Sequence, residues 1–219
     1  MNKWSAKIKI FFDTLHKKTF ELFLNEQNIT LPQLFKSKNR NFEHFLSRYA
    51  LALLYQSGSD LSTELSFLEI ELKDYQFLND DNSSCYSLAH TKEMAVAVKA
   101  LKEHFTGIGC DVEYAQRKMP AGSERHFLND KDQIKLPLLE SWCVKEACFK
   151  ALSNSGEDIQ LLKDVIIHDH KFYYSENPNS NSALNKFELF YQDEYIVVIA
   201  YCAKKEDKLE LKEVIPKLR

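Results

Sequence analysis

Leu138-Leu139-Glu140-Ser141-Trp142-Cys143-Val144-Lys145-Glu146-Ala147-Cys148-Phe149-Lys150-Ala151-Leu152 reads as a helix, starting after Pro137 and giving way to Ser153-Asn154-Ser155-Gly156. On its N-terminal side, Ile108 to Glu113 reads as a short strand and Met94 to Val98 as another, with a loop from Glu103 to Gly107 between them. On its C-terminal side, Asp164 to Ile167, Phe187 to Tyr191 and Tyr195 to Tyr201 are β-like. Gln192-Asp193-Glu194 joins the last two as a hairpin, and Asn177 to Ser182 is a Pro/Asn/Ser loop. Farther upstream, Phe42, Phe45, Leu46, Tyr49 and Leu53 fall on one face of a helix over Asn41 to Gln56, with Arg48 off that face. Leu68, Ile70 and Leu72 alternate with Glu69 and Glu71 as in a half-buried strand, and Asn79 to Ser84 is a polar turn cluster. The order helix, strands, helix, strands predicts an α+β protein rather than a doubly wound parallel sheet. Two pseudo-symmetric halves are expected, 1–103 and 104–219, dividing near Glu103. Each would be a small, mostly antiparallel sheet packed on a long helix, with the active site between them.

The chain of 219 residues is 44% hydrophobic and 28% charged, the composition of a folded globular protein. A formal net charge of −3 gives no basis for binding nucleic acid or a membrane surface through overall charge, so electrostatic recognition is expected to be local. Cys85, Cys110, Cys143, Cys148 and Cys202 are odd in number and form no C-x-x-C, which favours buried free thiols in a reducing, cytoplasmic setting. Lys7, Lys9 and Asp13 break the first apolar run, making it a poor signal peptide. No stretch approaches the ~18 apolar residues of a membrane span. With five Gly in all, neither a G-x-G-x-x-G nor a G-x-x-x-x-G-K phosphate loop occurs.

Asp111 and Glu113 are two apart on the expected strand, so their carboxylates share a face and are close enough for one hard cation. An exposed acidic strand edge would show the same pattern. The helix adds Glu146 and Lys150, four apart and therefore neighbours, with Lys145 beside Glu146 and Trp142 one turn earlier. Alone, the Glu146–Lys150 pair would be a surface ion pair worth about 0.3–0.5 kcal/mol. With the strand carboxylates it becomes a set suited to a magnesium ion and phosphates, since magnesium takes one or two protein carboxylates and fills its octahedron with phosphate oxygens and water.

Gly109-Cys110-Asp111-Val112-Glu113 followed by Trp142-Cys143-Val144-Lys145-Glu146-Ala147-Cys148-Phe149-Lys150 resembles the 4′-phosphopantetheinyl transferases of the longer, monomeric type, in both motifs and their order. Ser87-Leu88-Ala89-His90-Thr91 resembles the family's Ser-His element, and Glu43-His44-Phe45-Leu46-Ser47-Arg48 its arginine-bearing helix. The resemblance runs from about Asn39 to Leu152. It implies that Asp111, Glu113 and Glu146 bind Mg2+, that Lys145 and Lys150 contact the phosphates of coenzyme A, and that Arg48 and His90 hold its nucleotide phosphate end. Glu146 and Lys150 would be catalytic, Glu146 as the base toward a serine of an apo carrier protein. Ala89 stands where the family has a serine, leaving Thr91 as the alternative hydroxyl. The family's Gly-Lys-Pro element is missing, leaving Lys73 or Lys92 to supply its charge. The implied protein is a cytoplasmic monomer acting on coenzyme A and a carrier protein.

Two other functions fit the same residues: a non-catalytic module that binds coenzyme A or a carrier, and a metal-dependent phosphohydrolase with water as nucleophile. His168-Asp169-His170 is expected to be an exposed turn rather than a metal pair, and Lys36-Ser37-Lys38-Asn39-Arg40 a solvated basic cluster whose minor reading is to steer an acidic partner. Cys143 and Cys148 have no adjacent histidine to activate a thiolate.

Overall fold

A computed structural model describes residues 8–57, 68, 72–73, 76–77, 83–133, 135–176, 184–205 and 209–213. Among them the fold is mixed α+β. The strands are β1 (Ile8–His16), β2 (Leu72–Lys73), β3 (Gln76–Phe77), β4 (Ser84–His90), β5 (Met94–Leu101), β6 (Phe105–Tyr114), β7 (Val165–His168), β8 (Lys171–Tyr174), β9 (Asn185–Gln192), β10 (Tyr195–Ala203) and β11 (Leu209–Glu213). The α-helices are α1 (Lys17–Glu26), α2 (Lys38–Ser57) and α3 (Leu138–Asn154). One sheet runs β11-β1-β5-β4 and the other β6-β10-β9-β8-β7, with β2–β3 a separate hairpin. Pairing is antiparallel except for β1 with β11, which brings the C-terminal strand back to the N-terminal sheet.

Strand alternation explains the layering. On β5, Met94, Val96 and Val98 join a core that also takes Ile108, Cys110 and Val112 of β6 and Val197 and Ile199 of β10. The opposite side of β5, Ala95 and Ala97, packs with Phe45, Leu46 and Leu51 of α2 and Phe20 of α1. The opposite side of β10, Ile196, Val198 and Ala200, packs with Val144, Ala147 and Ala151 of α3. The molecule is therefore a stack of α1/α2, sheet, sheet and α3. Each fully buried Val, Leu, Ile or Phe contributes about 1.5–3 kcal/mol, so these three interfaces hold the helices in place more firmly than helix propensity does.

The expected helices and the C-terminal hairpin occur, with ends longer by a few residues. Several features differ, among them α1 and β11, for which the sequence pattern predicted no element. The loop expected over Glu103 to Gly107 is only the turn Lys102–His104, because Phe105 is already buried at the start of β6. β1 was not foreseen. Lys9 and Asp13 look like interruptions of an apolar run, yet Ile10 and Phe12 alternate into the core between the sheets. β4 holds the Ser-His element as a strand, with Cys85, Tyr86, Ser87 and Ala89 buried. β8 was also missed. Of the expected strand at Leu68 to Leu72 only its two end residues are described. Asn79 to Asn82 and Asn177 to Ser182 lie outside the described residues. No helix among the described residues is long and apolar enough to cross a membrane.

Candidate functional site

Two glycines bring α3 down onto β6. A Cβ at Gly107 would lie 2.1 Å from the Ala151 carbonyl oxygen, and one at Gly109 would lie 2.0 Å from that of Ala147. Real Cβ atoms do not come closer than 3.0 Å, so only glycine permits this approach. Gly107, Gly109, Asp111 and Glu113 share the period-two face of β6 turned toward the helix, while Ile108, Cys110 and Val112 face the core between the sheets. The acidic residues thus continue a face that begins as a flat glycine track.

The last turns of α3 make four polar attachments, three of them to β6. Lys150 Nζ donates to the Cys110 carbonyl at 2.9 Å and to Asp111 Oδ1 at 3.0 Å. Asn154 Nδ2 donates to the carbonyls of Tyr86 on β4 (2.9 Å) and Ile108 on β6 (3.2 Å), tying the helix to both sheets. Across the seam, Cys110 N donates to Ser87 Oγ at 3.1 Å. Ser87 is thereby a strut between β4 and β6.

Asp111 is 8% exposed. Burial pushes its carboxyl pKa up, and the Lys150 ammonium pulls it back without cancelling the burial. Its second oxygen, Oδ2, is buried and meets no N–H or O–H donor, and the Cys143 thiol, a weak donor, is its hydrogen-bonding neighbour. Glu113 is pushed up by burial and by the charges of Asp111 and Glu146, and Arg117, with which it forms an ion pair, opposes this. Glu146 is likewise raised by burial and then by Asp111, with Lys150 opposing. The three carboxylates therefore lie in one mutually repulsive field. On Lys150, burial disfavours the charge, but Asp111, Cys110 and Glu146 outweigh it and raise the pKa.

Among the described residues no three His, Cys, Asp or Glu side chains are gathered around a common metal position. Asp111 is turned onto Lys150 and Glu113 onto Arg117. The donor chemistry still fits a hard divalent cation: three carboxylates whose charges repel, one of them with a buried oxygen that meets only a weak thiol donor.

Arg48 and His90 line a different part of the surface, a cavity of about 570 Å³ shared with Phe35, Arg40, Glu43, His44 and Lys92. Arg40 lies over the Phe35 ring at 5.0 Å, and His90 Nδ1 is 3.9 Å from Glu43 Oε2. Burial lowers the His90 pKa, Glu43 and Asp111 raise it, and Lys150 and Arg48 lower it. His90 thus feels both the cavity charges and the pair on β6 and α3. Burial, followed by Arg48 and His90, lowers His44 to about 4, so it is neutral at pH 7.

The structure places Asp111, Glu113, Glu146 and Lys150 within electrostatic reach of one another, without the three carboxylates converging on one position, and places Arg48 and His90 on the neighbouring cavity. Lys145 does not join either group. It is 0% exposed, its ammonium sealed between Asp132 and the Val165 carbonyl, so the expected phosphate contact from Lys145 is withdrawn. Thr91 is committed to the β4–β5 turn, where its Oγ1 accepts from Glu93 N (3.2 Å) and Met94 N (3.1 Å), and Ala89 faces the core. Lys92 lines the cavity, and the Lys73 side chain lies outside the described ones. His168 pairs with Asp169 in the exposed β7–β8 turn. Phe35, Arg40, Glu43, His44 and Arg117 were not foreseen as parts of these groups, nor Asp132 as the partner of Lys145. For the first two the signal was present, since an aromatic ring beside the 36–40 basic cluster matches a cation–π anchor. Compared with known proteins, the chain matches no protein-family model and no curated protein, leaving its own geometry and motifs to support a function.

Proposed function

We propose that this chain transfers the 4′-phosphopantetheine group of coenzyme A to a serine of an apo acyl or peptidyl carrier protein, releasing adenosine 3′,5′-bisphosphate. The observation that carries the reading is the Asp111–Lys150–Glu146 cluster, with an Asp111 oxygen held by no donor stronger than a thiol, beside a cavity holding Arg40, Arg48 and Lys92. Asp111, Glu113 and Glu146 would hold magnesium, which when bound neutralises pyrophosphate charge and polarises the phosphoryl oxygen. Arg48, His90 and Lys92 bind the nucleotide phosphate end. Glu146 takes the serine proton as the serine oxygen forms its bond to phosphorus and the bond to the bisphosphate breaks. Its raised pKa, from burial and the neighbouring Asp111, suits a carboxylate to that role better than an exposed one. Lys150 offsets negative charge on the pyrophosphate and the departing bisphosphate.

In this reading, two related halves expected at 1–103 and 104–219 hold the substrate between them, with β11 of the second returning to pair with β1 of the first, and the protein works as a cytoplasmic monomer. Five buried free cysteines support a reducing compartment, and burial pushes those of Cys85, Cys110 and Cys202 to about 12, well away from thiolate chemistry. The deciding experiment is the intact mass of a purified apo carrier after incubation with the protein, coenzyme A and magnesium. A gain of one phosphopantetheine, abolished by chelation and by Asp111→Ala, Glu113→Ala or Glu146→Ala in folded protein, is expected. Full transfer by all three variants would overturn the assignment.

A further inference from the structure

Lys145 is a charged residue at the centre of the second motif that makes no use of solvent or cleft. Its Nζ lies 2.8 Å from Asp132 Oδ1 and 2.7 Å from Oδ2, and donates again to the Val165 carbonyl. The Asp132 side chain is 5% exposed. Its oxygens also accept from Ile167 N at 2.9 Å and from Asn129 N at 2.7 Å. Gln133 N then donates to the Ile167 carbonyl at 2.8 Å, and Asn129 Nδ2 to the Lys163 carbonyl at 3.0 Å. One buried carboxylate therefore joins α3, β7 and the segment that carries the chain from β6 to α3. The same segment is held a second time where the buried Phe127 ring meets Trp142 edge-on at 5.2 Å.

Neighbouring residues on a helix are about 100° apart around its axis. With Lys145 fixed toward Asp132 and β7, Glu146 must turn toward β6, and Lys150, one turn farther along from Glu146, is found on Asp111. A buried pair of this kind is weak as net stabilisation, because desolvation offsets the Coulombic gain, so its use here would be to specify one arrangement over its rivals. We infer that Lys145 is a positioning residue, an internal counter-ion that pins Asn129–Gln133 under α3 and so fixes the helix rotation that presents Glu146 to Asp111. The consequence for transfer rests on the proposed activity, whereas the clamp itself does not.

The test compares Lys145→Met and Asp132→Asn with wild type. Asp132→Asn keeps the side-chain volume and the Lys145 ammonium, so it remains informative if Lys145→Met fails to fold. Limited trypsin digestion reads the clamp without any activity, since Lys131 is exposed in the pinned segment and Arg125 and Lys135 are exposed just beside it. Cleavage there is expected to accelerate at least tenfold in each variant, while far-ultraviolet circular dichroism stays native. In the carrier mass assay kcat should fall tenfold or more with the KM for coenzyme A unchanged. Unchanged digestion would overturn the clamp. Faster digestion with a raised coenzyme A KM and an intact kcat would overturn the positioning role in favour of a phosphate contact. If wild-type protein transfers nothing, the digestion result still decides the clamp, and the activity proposal alone falls.

Discussion

Replacing Gly109 by alanine should drive α3 away from β6 and take the site's charges apart. The new Cβ would lie 2.0 Å from the Ala147 carbonyl oxygen and 2.6 Å from Ala151 N. Both are backbone atoms of a helix packed on two strands, so neither can rotate aside. Bringing the first contact to the 3.0 Å limit requires a retreat of roughly 1 Å, in a core packed to crystal-like density. Such a displacement acts directly on the 3.0 Å Lys150–Asp111 contact and on the two Asn154 bonds to Tyr86 and Ile108. Overpacking costs about 1–3 kcal/mol, and an immovable obstacle places this case near 3. For a chain of this size that corresponds to a melting temperature lower by roughly 6–12 °C. Thermal melts followed by circular dichroism measure it, with Gly122→Asn as control. Gly122 has φ +77° and nothing within 4 Å of its would-be Cβ, and asparagine tolerates that conformation, so the control should melt like wild type. A Gly109→Ala protein melting within about 2 °C of wild type and transferring at the wild-type rate would refute the close approach as the basis of the site.

Lys150→Met should cost about 3–5 kcal/mol in a urea titration, because it strands a buried Asp111 carboxylate, and adding Asp111→Asn should recover most of that loss. Additive losses in the double variant would refute the pairing. His44 also predicts a pH response. Its folded pKa of about 4 lies below the ordinary 6.5, so as pH falls the unfolded chain takes up the proton first. Stability is therefore full above 6.5 and declines between 6.5 and about 4, by roughly 1 kcal/mol once solvent screening of this part-exposed ring is allowed for. His44→Phe, which keeps the edge contacts to Phe35 and Phe45, should shrink the fall in melting temperature between pH 7 and 4.5. An unchanged fall would show that other groups set the acid limb.

That Asp111 shares a strand face with Glu113, and Glu146 a helix face with Lys150, was legible because strand and helix periods act locally: i and i+2 share a strand face, and i and i+4 a helix face. The reason for Gly109 was not, since its requirement comes from Ala147, a residue 38 positions away that it meets only in the folded chain. β1 escaped for a related reason. A run containing Lys9 and Asp13 looks interrupted when read for length, and only its pairing with β5 shows that alternation is what matters.

Lys145 and Lys150 mark the limit most sharply. The two residues sit five apart on one helix inside one motif, and sequence alone assigns them one role. Around the helix axis they point in different directions, and burial then separates them. The first finds a carboxylate that also serves two backbone N–H groups and is sealed on every side. The second finds a carboxylate whose other oxygen meets only the weak donor of the Cys143 thiol, and stays partly open beside Glu146. A fully satisfied ion pair has no capacity left for a ligand, whereas an incompletely satisfied one keeps an interaction available for it. That difference in satisfaction, which no spacing rule encodes, assigns Lys145 to the architecture and Lys150 to the site.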